Sequence, residues 1–337
     1  MSQTDKQSVS RRVVIVGGVA GGASAATRLR RLDENAQITM IERSPYVSFA
    51  NCGLPYHISG EIFSRERLFV TTPERLAARF RIDVHTRTEV VSINRKAKTV
   101  RVRALDEANK PETDVPYDVL ILSPGARAFK PPPFADAAPH PRVHTLRSIN
   151  DMDGIIAALD PEANDSSSTR KAVVIGGGYI GLEVAEALFH RGQQDGSEAN
   201  SIEVSIVEFA QQIMGAADPE MTAPLLDEFS QRGVNIHLGT KVETMVLGDP
   251  QNKSRSPDSC VTVTLSDGST ITADILIVAV GVRPESTLAR EAGLNIGSRT
   301  GGIIVDTHMR TSDPNIYAVG DVVEVQEFVT GSPASIA

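Results

Sequence analysis

An α/β protein of two doubly wound units, each with a small antiparallel β-meander, is the fold class the sequence predicts. Three observations carry it. A strand-like run feeding a glycine turn and then a helix is written twice, at residues 12–22 (RVVIVGGVAGG) and 171–181 (KAVVIGGGYIG). Four further landmarks follow each copy in the same order, the mark of an internal duplication. The chain of 337 residues, 41% of them hydrophobic, is long enough for two domains with their own cores.

In the first copy, residues 12–16 read as a buried strand. Gly17 and Gly22 take the first and third positions of a G-x-G-x-x-G turn, with Val19 at the second. Glycine is called for because the backbone turns tightly, approaches a pyrophosphate and lets the following helix pack on the sheet. The next strand, 37–42 (QITMIE), ends on Glu42, placed to bind ribose hydroxyls. Arg43 follows it, placed to neutralise phosphate or cover an adenine. A strand segment at 81–90 (RIDVHTRTEV) and an alternating strand at 98–103 lead to the apolar strand and turn of 118–127 (DVLILSPGAR).

The second copy is more regular. Gly176, Gly178 and Gly181 complete G-x-G-x-x-G directly after the strand 172–175 and before the helix 182–190, the context the motif requires. Strand 203–208 (EVSIVE) ends on Glu208, whose charge repels a 2′-phosphate and so favours NADH over NADPH. Residues 233–242 (GVNIHLGTKV), the strand pair 260–265 and 269–273, and 274–283 (DILIVAVGVR) repeat the remaining landmarks. Each unit reads as a Rossmann-like nucleotide-binding domain that carries phosphates at a helix N-terminus.

The boundaries drawn are 1–150 for the first part of the first domain, 151–285 for the second domain and 286–337 for a return to the first. Proline-rich crossings at 129–134 (FKPPPF) and 139–141 fit a hinge, and 160–169, 193–201 and 248–259 read as surface loops. Residues 311–321 (TSDPNIYAVGD) form a turn leading into a strand that ends on Gly320 and Asp321. There the glycine permits close approach and the carboxylate could accept from a ribityl hydroxyl. The alternative is an aspartate capping the segment that follows.

With 34 basic against 42 acidic residues the net charge is −8, which argues against nucleic acid or an anionic membrane as the main partner. The longest apolar runs, such as 275–282, fall far short of the ~20 residues of a membrane span. Residues 1–12 lack the apolar core of a secretory signal. The two cysteines, Cys52 and Cys260, fall in different copies, a poor disulfide framework that fits a reducing cytoplasm. Cys260 reads as structural, and no metal site is expected. Cys52 lies in SFANCGLPY, residues 48–56, with no second cysteine near it. It is open to two readings: a redox-active thiol activated by its surroundings, or a small buried hydrophobe.

Together these motifs resemble the pyridine nucleotide-disulfide oxidoreductase family of FAD flavoproteins over essentially the whole chain. Within it, the block 48–56 is similar to that of coenzyme A-disulfide reductases. The resemblance implies a glutathione-reductase-like fold, with FAD on the first unit and NADH, or alternatively NADPH, on the second. It places Gly17, Gly22, Glu42, Arg43, Val90, Gly125, Gly320 and Asp321 on FAD. It places Gly176, Gly178, Tyr179, Gly181, Glu183, Glu208 and Gly281 on the nicotinamide dinucleotide, with Tyr179 covering the flavin ring. Cys52 is then the catalytic residue, forming a mixed disulfide with coenzyme A. Ser48 and Asn51 support it, and Arg31 faces the coenzyme A phosphates; for Arg28 and Arg30 a solvated helix face is the alternative. The implied activity is reduction of coenzyme A disulfide, or a related persulfide or polysulfide, by NAD(P)H.

Relatives of the glutathione-reductase type carry a cysteine pair, and the place of the second falls here on His57, which excludes that class. A single cysteine also serves NADH oxidases and peroxidases as a sulfenic acid, usually with a histidine in the first glycine turn. Residues 19–22 (VAGG) offer none, so peroxide chemistry is the second reading. Family members continue into a C-terminal interface domain that makes the homodimer, whereas this sequence stops at residue 337. The expectation is a shortened chain with exposed apolar surface where the interface domain would pack. A third reading, of another class, is an FAD- and NADH-binding module without disulfide turnover.

Overall fold

The computed structural model describes residues 10–107, 110–135, 139–159, 170–193, 201–248 and 260–335. The loop expected at 160–169, and most of those at 193–201 and 248–259, lie outside the described residues. Among the described residues the α-helices are α1 (Ala20–Leu32), α2 (Leu54–Ile58), α3 (Pro73–Phe80), α4 (Ile149–Leu159), α5 (Tyr179–Gln193), α6 (Pro219–Gln231) and α7 (Thr287–Glu291). The chain groups into two compact units. The first runs to Phe49 and takes in Phe69–Arg127 and the chain from Arg283 onward; the second holds Ala50–Leu68 and Ala128–Val282.

In the first unit a five-stranded parallel sheet has the order Ile316–Ala318, Val119–Leu122, Arg12–Val16, Gln37–Ile41, Ile82–His85. The central strand is buried at every residue but its first. A strand covered on both faces selects such a run of β-branched side chains. On one face Val13 and Ile15 share a core with Ala23 and Ala26 of α1, small side chains that allow close approach. On the other, Val14 and Val16 pack with Leu120, Val100 and Tyr117. The Thr72 hydroxyl caps α3 by accepting from the Arg75 N–H at 3.3 Å, and Arg81, at φ +48°, ends that helix.

The second unit repeats the plan, with order Asn235–His237, Ile202–Val207, Arg170–Ile175, Ile275–Val278, Val143–His144, again all parallel. Strand Val143–His144 pairs with Leu276 and Ile277 at one edge. That pairing is why residues 128–150, read from the sequence with the first domain, group with the second unit. Besides the excursion of residues 50–68, the passages between units fall at 127/128 and 282/283, against 150/151 and 285/286 in the sequence reading.

Each unit carries a three-stranded antiparallel meander: Thr88–Asn94, Thr99–Ala104 and Thr113–Pro116 in the first, Val242–Leu247, Val261–Leu265 and Thr270–Ala273 in the second. The landmark segments 81–90 and 233–242 therefore each split between a parallel sheet and a meander. The chain is redirected by Arg87 (φ +49°) in the first and Gly239 (φ +63°) in the second. In both sheets the central strand has successive neighbours on opposite sides. Its C-terminal end is thus a switch point of the topology, where ligands of open α/β sheets bind.

Two glycine cradles and an exposed cysteine

Both central strands end in a turn that only glycine can make. Gly17 has φ +93° and Gly176 φ +111°. A Cβ on Gly17 would strike the Ser123 carbonyl, and one on Gly176 the Ala279 carbonyl. Five residues on, a Cβ on Gly22 or Gly181 would strike the carbonyl of Gly17 or Gly176 itself. Gly178 differs: a Cβ there would meet no atom within 4 Å. The fold does not require glycine at that second position, so Val19 is accommodated in the first turn. What calls for glycine there is the approach of a phosphate.

Glu42 and Glu208 close the two turns in the same way. The Glu42 carboxylate, 9% exposed, accepts from the Gly18 N–H at 2.7 Å and the Ser44 N–H at 2.7 Å. Glu208 accepts from Gly177 at 2.5 Å and Ala210 at 2.7 Å. The backbone bonds repeat as well: Gly17 N–H donates to the Ile41 carbonyl at 2.9 Å, and Gly176 N–H to that of Val207 at 2.8 Å. Each carboxylate oxygen accepts one bond and keeps a lone pair for a ribose hydroxyl.

The first cradle draws in distant parts of its unit. A Cβ on Gly21 would lie 3.3 Å from Val319 Cγ2, which puts the segment of Gly320 (φ +81°) and Asp321 beside the turn. Ser48, at φ +45°, donates its N–H to the Gly18 carbonyl at 3.0 Å. Gly125, φ +73°, accepts from the Glu285 N–H at 2.9 Å. Val90 is half-buried against the core, just before the register shift that lies between it and Ser92. Arg43 is exposed and lies 3.9 Å from Glu89.

Arg31 stands apart from the turn, exposed in the last turn of α1, about 14 Å of helix rise beyond Gly22. Arg28 is exposed. Arg30 is committed to structure: its guanidinium donates to the carbonyls of Phe80, Asp33, Glu34 and Arg81 at 2.7–3.2 Å.

In the second unit Tyr179 opens α5 and is 63% exposed. One turn on, burial and then the neighbouring Glu186 push the Glu183 carboxyl above the ordinary carboxylate range. Gly281, φ +110°, accepts from the Phe129 N–H at 2.9 Å.

Cys52 is exposed, in the 3-10 turn Asn51–Gly53 that leads into α2, with Asn51 half-buried beside it. Cys260 is buried, its Sγ 3.9 Å from Asp274 Oδ1. Of the two readings left open for Cys52, the buried hydrophobe is thus removed. His57 Nδ1 lies 2.5 Å from the Ile62 carbonyl and so serves the segment's own geometry. Sequence reasoning missed Arg65, Asp153 and Arg191. Arg65 forks onto Asp153 and Arg191 donates to the Ile58 carbonyl, across 88 and 133 positions, separations no local pattern spans.

In each unit the glycine turn and the carboxylate at the next strand end fit a dinucleotide, with Val19 standing in the first turn where the second has Gly178. Among the described residues no helix is long and apolar enough to cross a membrane. The chain is 32% identical over 325 residues to a coenzyme A disulfide reductase of Staphylococcus aureus (strain JH9), covering 96% of this chain and 66% of that protein. It superposes with TM-score 0.83 on the reduced Bacillus anthracis CoADR-RHD, at 42% identity, covering 97% of this chain and 54% of the other. It also superposes, at TM-score 0.83 and 36% identity, on an NAD-dependent persulfide reductase from A. fulgidus, covering 96% and 56%. The chain therefore spans about two thirds of the curated relative and somewhat over half of the two solved chains. The model of the pyridine nucleotide-disulphide oxidoreductases matches residues 11–336, and with the two cradles in place the chain belongs to that family.

Proposed function

We propose that this chain binds FAD in its first unit and NADH in its second, and reduces coenzyme A disulfide, or a coenzyme A persulfide or polysulfide, at Cys52. Cys52 carries the reading: one exposed sulfur without a second cysteine beside it, in the SFANCGLPY block. The relatives named for coenzyme A disulfide and persulfide support the substrate class.

FAD, when bound, relays two electrons between nicotinamide and sulfur. The chain's residues do the rest. Gly17, Gly22, Glu42, Gly320 and Asp321 hold the first dinucleotide, with Arg43, Val90 and Gly125 along it. Gly176, Gly178, Gly181, Glu208 and Gly281 hold the second, with Tyr179 and Glu183 toward the nicotinamide. The charge of Glu208 disfavours a 2′-phosphate and so selects NADH.

The Cys52 thiolate attacks one sulfur of coenzyme A disulfide. The substrate S–S bond breaks, one coenzyme A thiolate leaves and takes a proton, and a Cys52–coenzyme A disulfide forms. Two electrons and a proton from NADH then return Cys52 to the thiolate and release the second coenzyme A as a thiol. The sum is coenzyme A disulfide, NADH and a proton giving two coenzyme A thiols and NAD⁺. Ser48 and Asn51 support the sulfur, and Arg31 meets the coenzyme A phosphates.

The test is steady NADH-dependent turnover of coenzyme A disulfide by the purified chain, with mass spectrometry of the protein as isolated. Turnover lost in Cys52→Ser, and an adduct of coenzyme A size on Cys52, are expected. A bound flavin that NADH bleaches without any turnover would leave only a binding module, and a sulfenic Cys52 would move the reading to peroxide.

A further inference from the structure

The segment bearing Cys52 leaves the first unit and is fixed at two places. At its neck Phe49 and Phe69 pair antiparallel within the first unit. Just inside, the Ala50 N–H donates to the Leu68 carbonyl at 2.8 Å. Beyond the neck the segment is held by helices of the second unit. Its helix α2 packs on α4 and α5 with Leu54 and Ile58 fully buried. Arg191, in the last turn of α5, donates to the Ile58 carbonyl at 3.1 Å. Arg65 forks onto Asp153 of α4, Nε to Oδ1 at 2.9 Å and a terminal nitrogen to Oδ2 at 2.7 Å.

These anchors connect to the sulfur through packed atoms. Arg65 opens the short helical turn Arg65–Leu68, whose Leu68 side chain is fully buried. Gly53, the neighbour of Cys52, sits on it so closely that a Cβ there would lie 2.8 Å from Leu68 Cδ2. A bidentate guanidinium–carboxylate fork fixes orientation as well as distance. Because Arg65 and Asp153 are partly exposed, the pair contributes little to global stability, so placement is what it supplies.

We propose that Asp153, acting through Arg65, and Arg191, acting through the Ile58 carbonyl, are positioning residues for Cys52 that set how fast it exchanges with its disulfide. The inference rests on Cys52 being the disulfide-reactive sulfur. In the exchange the Cys52 thiolate forms one S–S bond, the reagent's S–S bond breaks, and one thiolate leaves.

The experiment uses the full chain, reduced, as wild type, Asp153→Asn, Asp153→Glu and Arg191→Met. It measures exchange rates with coenzyme A disulfide and with 5,5′-dithiobis(2-nitrobenzoate), amide exchange over residues 54–62, and Tm. In Asp153→Asn and Arg191→Met, exchange with coenzyme A disulfide should fall on the order of tenfold, the cost of a misplaced nucleophile. The generic reagent, which meets an exposed thiol from many directions, should change by less than about twofold. Amides 54–62 should exchange faster, Tm should move by no more than about 3 °C, and Asp153→Glu should recover part of the loss.

Wild-type rates and amide protection in both variants would overturn the inference and leave the proposed function standing. Wild type that exchanges with the generic reagent but not with coenzyme A disulfide would overturn the substrate reading instead. The positioning role would then be decided by amide protection, and unchanged protection over 54–62 would end it.

Discussion

At the scale of single residues, the two cradles separate what glycine does for the fold from what it does for a ligand. A Cβ on Gly181 would collide with the Gly176 carbonyl, whereas one on Gly178 would stand in open space. Gly181→Ala is therefore expected to cost about 1–3 kcal/mol of stability through forced backbone shifts, along with NADH binding. Gly178→Ala should leave Tm unchanged and weaken NADH on the order of tenfold, or ~1.4 kcal/mol. Thermal melts and NADH titrations of the two variants check this; a matching fall in Tm for both would refute it. The sequence made the glycines and the acids legible because a pyrophosphate imposes fixed spacing on them. It did not show that Glu42 and Glu208 also bind the turn N–H groups, nor that Arg30 binds four carbonyls, since those partners are brought up only by tertiary folding.

At the scale of elements, the parallel strands and glycine-led helices were legible from apolar runs and turns, while the strand Val143–His144 was not. Two residues show no period, and only pairing with Leu276 and Ile277 defines them as a strand. That edge strand carries a titratable group. His144 Nε2 donates to the Pro141 carbonyl at 2.9 Å, and a Cβ on Gly154 of α4 would lie 3.3 Å from its ring. Burial, as the main cause, holds its imidazole below the ordinary value of 6.5. As pH falls the unfolded chain takes up this proton first. The contribution is thus complete above about pH 6.5 and is lost as pH falls from there toward the lower folded value. His144→Asn should lack that dependence, so the Tm gap between wild type and variant should shrink between pH 8 and pH 5.5. Parallel Tm curves would show that His144 does not titrate differently on folding.

At the scale of the whole molecule, the duplication was legible because each copy repeats five landmarks in order, and the structure repeats them as hydrogen bonds. The grouping of residues 50–68 with the second unit was not legible: it rests on α2 packing against α4 and α5, far along the chain. The proposed assignment of one dinucleotide to each unit follows from the two cradles and can be read by hydrogen exchange without turnover. A ligand at 100 times its Kd stabilises the state it binds by about 2.7 kcal/mol. Amides that exchange by opening of that cradle should then slow roughly 100-fold. FAD is expected to protect Gly17, Gly18, Gly22 and Ser44, whose N–H groups lie at the first turn and its carboxylate. NADH should protect Gly176, Gly177, Gly181 and Ala210 at the second. Protection of the first set by NADH would reverse the assignment, and equal protection of both sets by either ligand would mean that each cradle takes either dinucleotide. In that case the turn and its carboxylate, held by the same pair of bonds at Glu42 and at Glu208, would not decide which dinucleotide a unit takes.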